Sequence, residues 1–287
     1  LYNGQLTTDD GRSLLAPYAL VVNIPFFRST TRVYATMTRE ENRVVIESRK
    51  GSKEKNSEPI AIMVSSEADY RRFCRLTTPV ADSARTAYNA QLLDVVYSNR
   101  SITIAGPILG APQAVLVLEK LIALGSRTII VLGWCGSLQS DLLIGDWLLP
   151  SSARSEEGTS SHYPMNAAHF LPDTDLFARL QDYCVQNGFS VRVGPIWTTD
   201  APLRETVDKV SSYGEEGLLA VEMEMSALFH VAAFRKVRLA GLLVVSDELF
   251  TLKWRPGFSS PRFKRACRQA SEALLDFCAS LPPHLLA

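Results

Sequence analysis

The sequence predicts an α/β fold, a mostly parallel sheet covered by helices. Two observations carry this. From residue 59 onward, short β-branched runs alternate with longer amphipathic segments, the pattern of strands joined by crossover helices. One run, "RTIIVLG" at 127–133, is almost wholly apolar, as a strand covered on both faces should be. The bulk numbers agree: 287 residues, 46% hydrophobic and 21% charged, enough chain to bury a sizeable core.

Residues 1–57 read differently from the rest. "LTTDDGR" and "ESRKGSKEKNSEP" are polar and turn-rich, and "YALVVNIPFF" and "TRVYATMTREENRVVIES" between them suggest strands. This stretch is expected to be an N-terminal extension or small added subdomain, with 58–287 as the main domain. There, "IAIMV" (60–64) reads as a strand, followed by a helix near 67–74. "SITIAG" (101–106) is a strand, and "APQAVLVLEKLIALG" (111–125) is a helix that Gly125 stops. "RTIIVLG" and "DWLLPSSA" are strands. "DTDLFARLQDYCVQNG" is a helix opening at Asp173 or Thr174 and closing at Gly188. "SVRVGPIWTT" and "VRLAGLLVVSDEL" are strands, and "LLAVEMEMSALFHVAA" (218–233) is a buried helix with Glu222 and Glu224 at its start. "PRFKRACRQASEALLDFCASL" closes the pattern as an amphipathic helix.

Charge and cysteine usage narrow the function. Thirty basic residues balance thirty acidic ones, which argues against nucleic acid or an acidic membrane as a partner. No apolar run approaches the ~18 residues of a membrane span. The five cysteines are dispersed and lack CxxC spacing, so neither a disulfide framework nor a metal knuckle is expected, and a reducing cytoplasm is.

In parallel sheets, sites gather at the carboxyl ends of strands. That rule selects Ser65 and Ser66, Gly106 and Pro107, Gly133 to Gly136, Thr198 to Asp200, and Ser246 to Glu248. Asp247 follows an apolar strand and is either a cap for the next turn or a general acid. The glycines of "VLGWCGSL" permit close backbone approach, without the spacing of a P-loop. Trp134 either walls a pocket or fills core. Cys135 has no base nearby in sequence and reads as structural. His162, in the polar loop "SEEGTSSHY", is either a surface residue or a ligand contact. Glu222 and Glu224 are either a negative helix start or carboxylates for paired hydroxyls.

Taken together, "IAIMVSSEADYRRF", "VLGWCGSLQSDLLIGDWLLP", "EEGTSSHY", "TTDAPLRE" and "LLAVEMEMSALFHVAA" followed by "LLVVSDEL" resemble the nucleoside phosphorylase superfamily, over roughly residues 58–275. The resemblance implies three layers, a central mostly parallel or mixed twisted sheet flanked by helices. It implies that Glu224 holds the ribose hydroxyls with Met223 beneath the sugar, while Glu222 and His162 lie near the ribose. It places Trp197, Thr198, Cys135 and Gly136 at the base, and Asp247, supported by Ser246, as the acid for purine N7. It implies a nucleoside as small-molecule substrate, phosphate as co-substrate, no metal or organic cofactor, and a homo-oligomer, a dimer or trimer of dimers.

The sequence departs from the family at the anion site, where Ser65, Ser66, Gly133 and Trp134 stand. The family's "GDPxR" turn reads "SSEAD" here, with Asp69 in place of the arginine. Val131 and Trp134 stand where a second arginine and a small hydroxyl residue belong. Phosphorolysis is therefore expected with hydrolysis as its alternative, and a nucleoside-binding protein without catalysis as a third.

Overall fold

The structure, a computed structural model, describes residues 44–165 and 170–285. In chain order these form β1 (Ile60–Val64), α1 (Glu67–Leu76), β2 (Thr78–Pro79), β3 (Arg85–Ala87), β4 (Ala90–Tyr97), β5 (Arg100–Gly106) and α2 (Ala111–Leu124). There follow β6 (Thr128–Ser137), β7 (Trp147–Glu156), α3 (Thr174–Gln186), β8 (Val191–Thr199), α4 (Val207–Glu215) and β9 (Ala220–Glu222). The last are α5 (Met225–Arg235), β10 (Arg238–Glu248), β11 (Arg255–Pro256) and α6 (Pro261–Ser280).

All the strands join one sheet in the order β11-β10-β7-β8-β9-β6-β1-β5-β4-β2, with β3 paired to β4. A further pairing of β10 with β6 closes β6, β10, β7, β8 and β9 into a ring. The sheet is mixed. β1 runs parallel to β5 and β6, and β10 parallel to β6, while β9 meets β6 antiparallel. β6 organises the layout. One edge carries β1 along Thr128–Leu132 and then β9 at Gly136 and Ser137. Between them, at Gly133 to Cys135, that edge has no strand beside it.

Side chains alternate across the sheet with the two-residue period of a strand. Ala61, Met63, Ile129, Val131, Leu239 and Leu243 face α2 and α5. Ile60, Ile62, Val64, Ile130, Leu132, Leu242 and Val244 face α1, α3 and α6. Side chains of Ser66, Asp173, Thr206 and Ser260 cap α1, α3, α4 and α6. Gly125, at φ 119°, ends α2 in the left-handed region.

The expected single helix over 218–233 is instead a strand, a break and a helix. Ala220 and Val221 pair with Ser137 and Gly136 on one side and Ile196 and Trp197 on the other. Ladder hydrogen bonds thus claim residues whose apolar spacing also suits a helix. Short strands β2, β3 and β4 and helix α4 were not anticipated. Tyr88, Asn89, Ser98 and Asn99 take positive φ, and these tight hairpin turns lack the glycine that marks such turns in sequence.

By contacts the chain divides into Leu1–Glu47 and Ser48–Ala287. "YALVVNIPFF" and most of "TRVYATMTREENRVVIES" lie outside the described residues, and 44–58 carry no strand. Ser57 is buried, with its Oγ 2.8 Å from Ser126 Oγ. All five cysteines are free. No helix among the described residues is long and apolar enough to cross a membrane.

The approach of β5 to β1 is tight. A Cβ on Gly106 would lie 2.4 Å from Val64 Cγ2 and 2.7 Å from the Val64 carbonyl oxygen. That oxygen already accepts the Ile108 N–H at 2.9 Å and cannot swing aside. Gly106→Ala should destabilise the fold by about 1–3 kcal/mol. A lowered urea midpoint at unchanged m-value is expected. An unchanged midpoint would mean that β1 and β5 are not held as described.

Candidate active site

The ends of β6, β8, β9 and β10 converge. Gly136 sits beside Val221 and Asp247, and Thr198 beside Glu222. Glu222 therefore enters from a strand, and its buried carboxylate is fully engaged. Oε1 accepts from the Thr198 hydroxyl, and Oε2 accepts the Glu224 and Met225 N–H groups, each at 2.7 Å. Thr198 Oγ1 in turn accepts the Ser226 N–H at 3.1 Å. These donors are the orphan amides at the start of α5. Glu222 is thus the cap that turns the chain from β9 into α5. The polar atoms of Glu222 and Thr198, expected near the ribose and the base, are hydrogen-bonded here to each other and to the backbone.

Glu224 is the residue that this cap presents. It is buried at the N-terminus of α5, and one oxygen accepts the Gly110 N–H at 2.6 Å. Gly110 adopts φ 76° at the start of α2, a conformation that suits glycine. The Met223 backbone N–H also bears on this carboxyl, and its two oxygens keep acceptor capacity for a pair of hydroxyls. Burial, and then the negative charge of Glu222, push its carboxyl well above the ordinary 4.5. Burial raises Glu222 as well, against the opposing effect of its hydrogen bonds. Glu222 has the Thr198 hydroxyl and two amides on its oxygens, so of the pair Glu224 is the one that burial raises more. Met223, half-buried, lies between them.

Asp247 stands at the end of β10. Its Oδ1 lies 2.6 Å from Ser246 Oγ, which is also 3.2 Å from the Cys135 carbonyl. Its Oδ2 accepts the Trp254 indole N–H at 2.9 Å. Gly136 makes room for it, since a Cβ there would lie 3.0 Å from Asp247 Oδ2 and 2.5 Å from Leu249 Cδ1. Glu205 was not anticipated. Burial, and then the charge of Asp247, push its carboxyl up to about 7. Cys135 is buried, and burial together with the charges of Asp247 and Glu222 pushes its thiol up. It remains protonated and structural.

The expected anion site is closed from within. Ser66 Oγ donates to Asp69 Oδ2 at 2.7 Å, and Trp134 Nε1 donates to the same oxygen at 2.8 Å. Arg72 pairs with Oδ1. Asp69 is fully buried, so its carboxylate takes the donors that a bound anion would need. A Cβ on Gly133 would lie 2.8 Å from Leu243 Cδ2, which makes this glycine a packing requirement. Ser65 Oγ is buried without a hydrogen-bond partner among the described residues.

Trp197 and His162, expected near the base and the ribose, sit as follows. Trp197 is fully buried with Leu138, Val210, Leu218, Val221 and Leu249, so its ring is core and not an open wall for a base. His162 is exposed on a short turn, Ser160–His162, and its ring makes no hydrogen bond to the carboxylates. The loop's working residue is Glu157, which accepts from Ser155 Oγ (2.7 Å), Thr159 N (2.6 Å), Ser160 N (3.0 Å) and Ser226 Oγ (3.1 Å). Burial raises its carboxyl, but these donors outweigh burial and hold it below the ordinary value. It stitches the loop to the first turn of α5. No group of three or more His, Cys, Asp or Glu among the described residues could hold a metal.

This architecture is a known one. A profile of the phosphorylase superfamily matches residues 59–281, and the chain belongs to that family. It is 31% identical over 183 residues to a guanosine phosphorylase of Halorubrum lacusprofundi, covering 63% of this chain and 76% of that one. It is 32% identical over 158 residues to a DeoD-type purine nucleoside phosphorylase of Bacillus thuringiensis, covering 54% and 67%. Among solved structures, a Toxoplasma gondii purine nucleoside phosphorylase in complex with immucillin-H superposes with a TM-score of 0.70 at 22% identity, covering 78% of this chain and 91% of that one. A Vibrio fischeri uridine phosphorylase gives 0.70 at 20% identity, covering 81% and 100%. At these identities the two structures speak for the fold.

The raised carboxyl of Glu224 has a consequence for stability. Stability from a raised carboxyl is complete below its unfolded value near 4.5 and is lost as pH climbs through the higher folded value. Glu224→Gln keeps an oxygen for the Gly110 N–H and removes the charge. The variant should match the parent's Tm near pH 5 and exceed it near pH 8.5, read by thermal melts at both values. An equal difference at the two pH values would show that Glu224 carries no such proton.

Proposed function

We propose that this chain breaks the N-glycosidic bond of a purine nucleoside. The observation that carries the reading is one buried, under-committed carboxylate, Glu224, at the start of α5, with a second acid, Asp247, fixed at the end of the adjoining sheet strand. In this reading Glu224 accepts hydrogen bonds from the ribose hydroxyls and Met223 packs under the sugar. As the C1′–N9 bond breaks, its electron pair passes to the base and positive charge builds on the sugar. Asp247 enters the step as the acid, gives its proton to the base nitrogen N7, and leaves it as the carboxylate that Ser246 and Trp254 hold. Glu222, Thr198 and Gly136 act through position, the first two by fixing α5 and the last by admitting Asp247.

Phosphate is the nucleophile that the names of the similar guanosine and purine nucleoside phosphorylases support. The product would then be ribose 1-phosphate, and the chain a pentosyltransferase. A specific observation favours water as a second reading. Asp69 already holds Ser66, Trp134 and Arg72, and a dianion beside a buried carboxylate is repelled. Water needs no such cradle, and its product would be free ribose.

Purine release from a ribonucleoside should fall about 10²–10⁴-fold in Asp247→Asn, the range a general acid contributes. A loss below tenfold would remove Asp247 from the chemistry. Assayed with and without phosphate, the parent should require phosphate in the first reading. Undiminished release without it, with ribose as product, establishes the second.

A further inference from the structure

We infer that Trp254 is the stacking surface for the base of the substrate, held beside Asp247 by the β10–β11 hairpin. The inference rests on the reading of Asp247 as the acid on the base side. Antiparallel pairing sets Asp247 opposite Pro256 and Glu248 opposite Arg255. The hairpin is locked by the Arg255–Glu248 ion pair at 2.9 Å and by the Gly257 N–H to the Ser246 carbonyl at 2.8 Å. Trp254 immediately precedes this ladder, so its backbone is placed by the same register that places Asp247.

The side chain is unusual for its size. Trp254 is 64% exposed, although a tryptophan offers a large apolar area to bury. Its indole N–H reaches Asp247 Oδ2 at 2.9 Å, so the ring is tethered at the site and not merely solvated. Phe258 braces it, with ring centroids 6.3 Å apart, and Phe258 in turn meets Trp134 at 5.9 Å and Phe263 at 6.3 Å. A ring fixed by its N–H and by an aromatic neighbour, yet largely exposed, presents a π-face at low entropic cost. Trp197 cannot serve, because its ring is sealed in core. A fused purine offers a matching face, and the tether sets that face next to the carboxylate that meets the ring nitrogen.

The test uses the full chain with inosine and with guanosine. Losing a base–aromatic stack costs about 5- to 150-fold in affinity. Trp254→Ala should raise KM for nucleoside by that factor with a smaller change in kcat, and Trp254→Phe should recover most of the affinity. Nucleoside should quench the tryptophan emission of the parent, and that quench should vanish in both variants. Circular dichroism melts confirm that each variant is folded. A folded Trp254→Ala with the parent's KM, or an undiminished quench in both variants, overturns the assignment. If the parent binds neither nucleoside by calorimetry, the nucleoside reading itself fails. If the parent binds and Trp254→Ala binds equally, only the stacking role fails.

Discussion

The buried carboxylate of Glu222 ties three elements together. It accepts the Thr198 hydroxyl from the end of β8 and two amides at the entry to α5, while its own backbone lies in β9. Each of those donors, left unsatisfied in the core, would cost about 1–3 kcal/mol. With the carboxylate in place they are satisfied together, and the turn from strand to helix has one geometry. That geometry aims Glu224 at Gly110 and leaves its remaining lone pairs to a ligand. A charged group in an apolar run thus has a structural use.

The same logic orders the neighbouring side chains. Glu157 repeats the device on the neighbouring loop, collecting two hydroxyls and two amides and reaching α5 through Ser226. Asp247 is fixed by Ser246 on one oxygen and Trp254 on the other. Gly136 lets this acid approach β6. Asp69 is the departure. It is a buried carboxylate where an anion site is expected, and Trp134 and Arg72 are its donors. The three side chains form one hydrogen-bonded unit.

Most of the layered architecture was legible because its cause is local. The apolar runs of β1, β6 and β10 and the capped, amphipathic α2, α3 and α6 report their own burial. The segment 218–233 misled because alternating and helical periods coincide over so few residues, and a sheet neighbour decided between them. The hairpins β3–β4 and β4–β5 are hard to read from sequence for want of glycine at their turns. At the site, Asp247 and Gly136 are legible as a polar and a small residue at strand ends, and Glu224 as a charge at the start of an apolar run. Glu205, Gly110 and Trp254 are not, because each acquires its place only through a partner far away in sequence. Trp197 shows the converse: an aromatic beside a site in sequence is here consumed by core.

The central claim is that Glu224, positioned by Glu222, reads the ribose hydroxyls. The direct measurement is calorimetric binding of guanosine and of its 2′,3′-dideoxy analogue to the parent and to Glu224→Gln. The account predicts that the parent prefers the hydroxylated nucleoside by about tenfold or more, as two hydrogen bonds at a net of about 1 kcal/mol each imply. It further predicts that Glu224→Gln loses most of that preference. Equal discrimination by parent and variant would contradict it and return Glu224 to the role of a helix start.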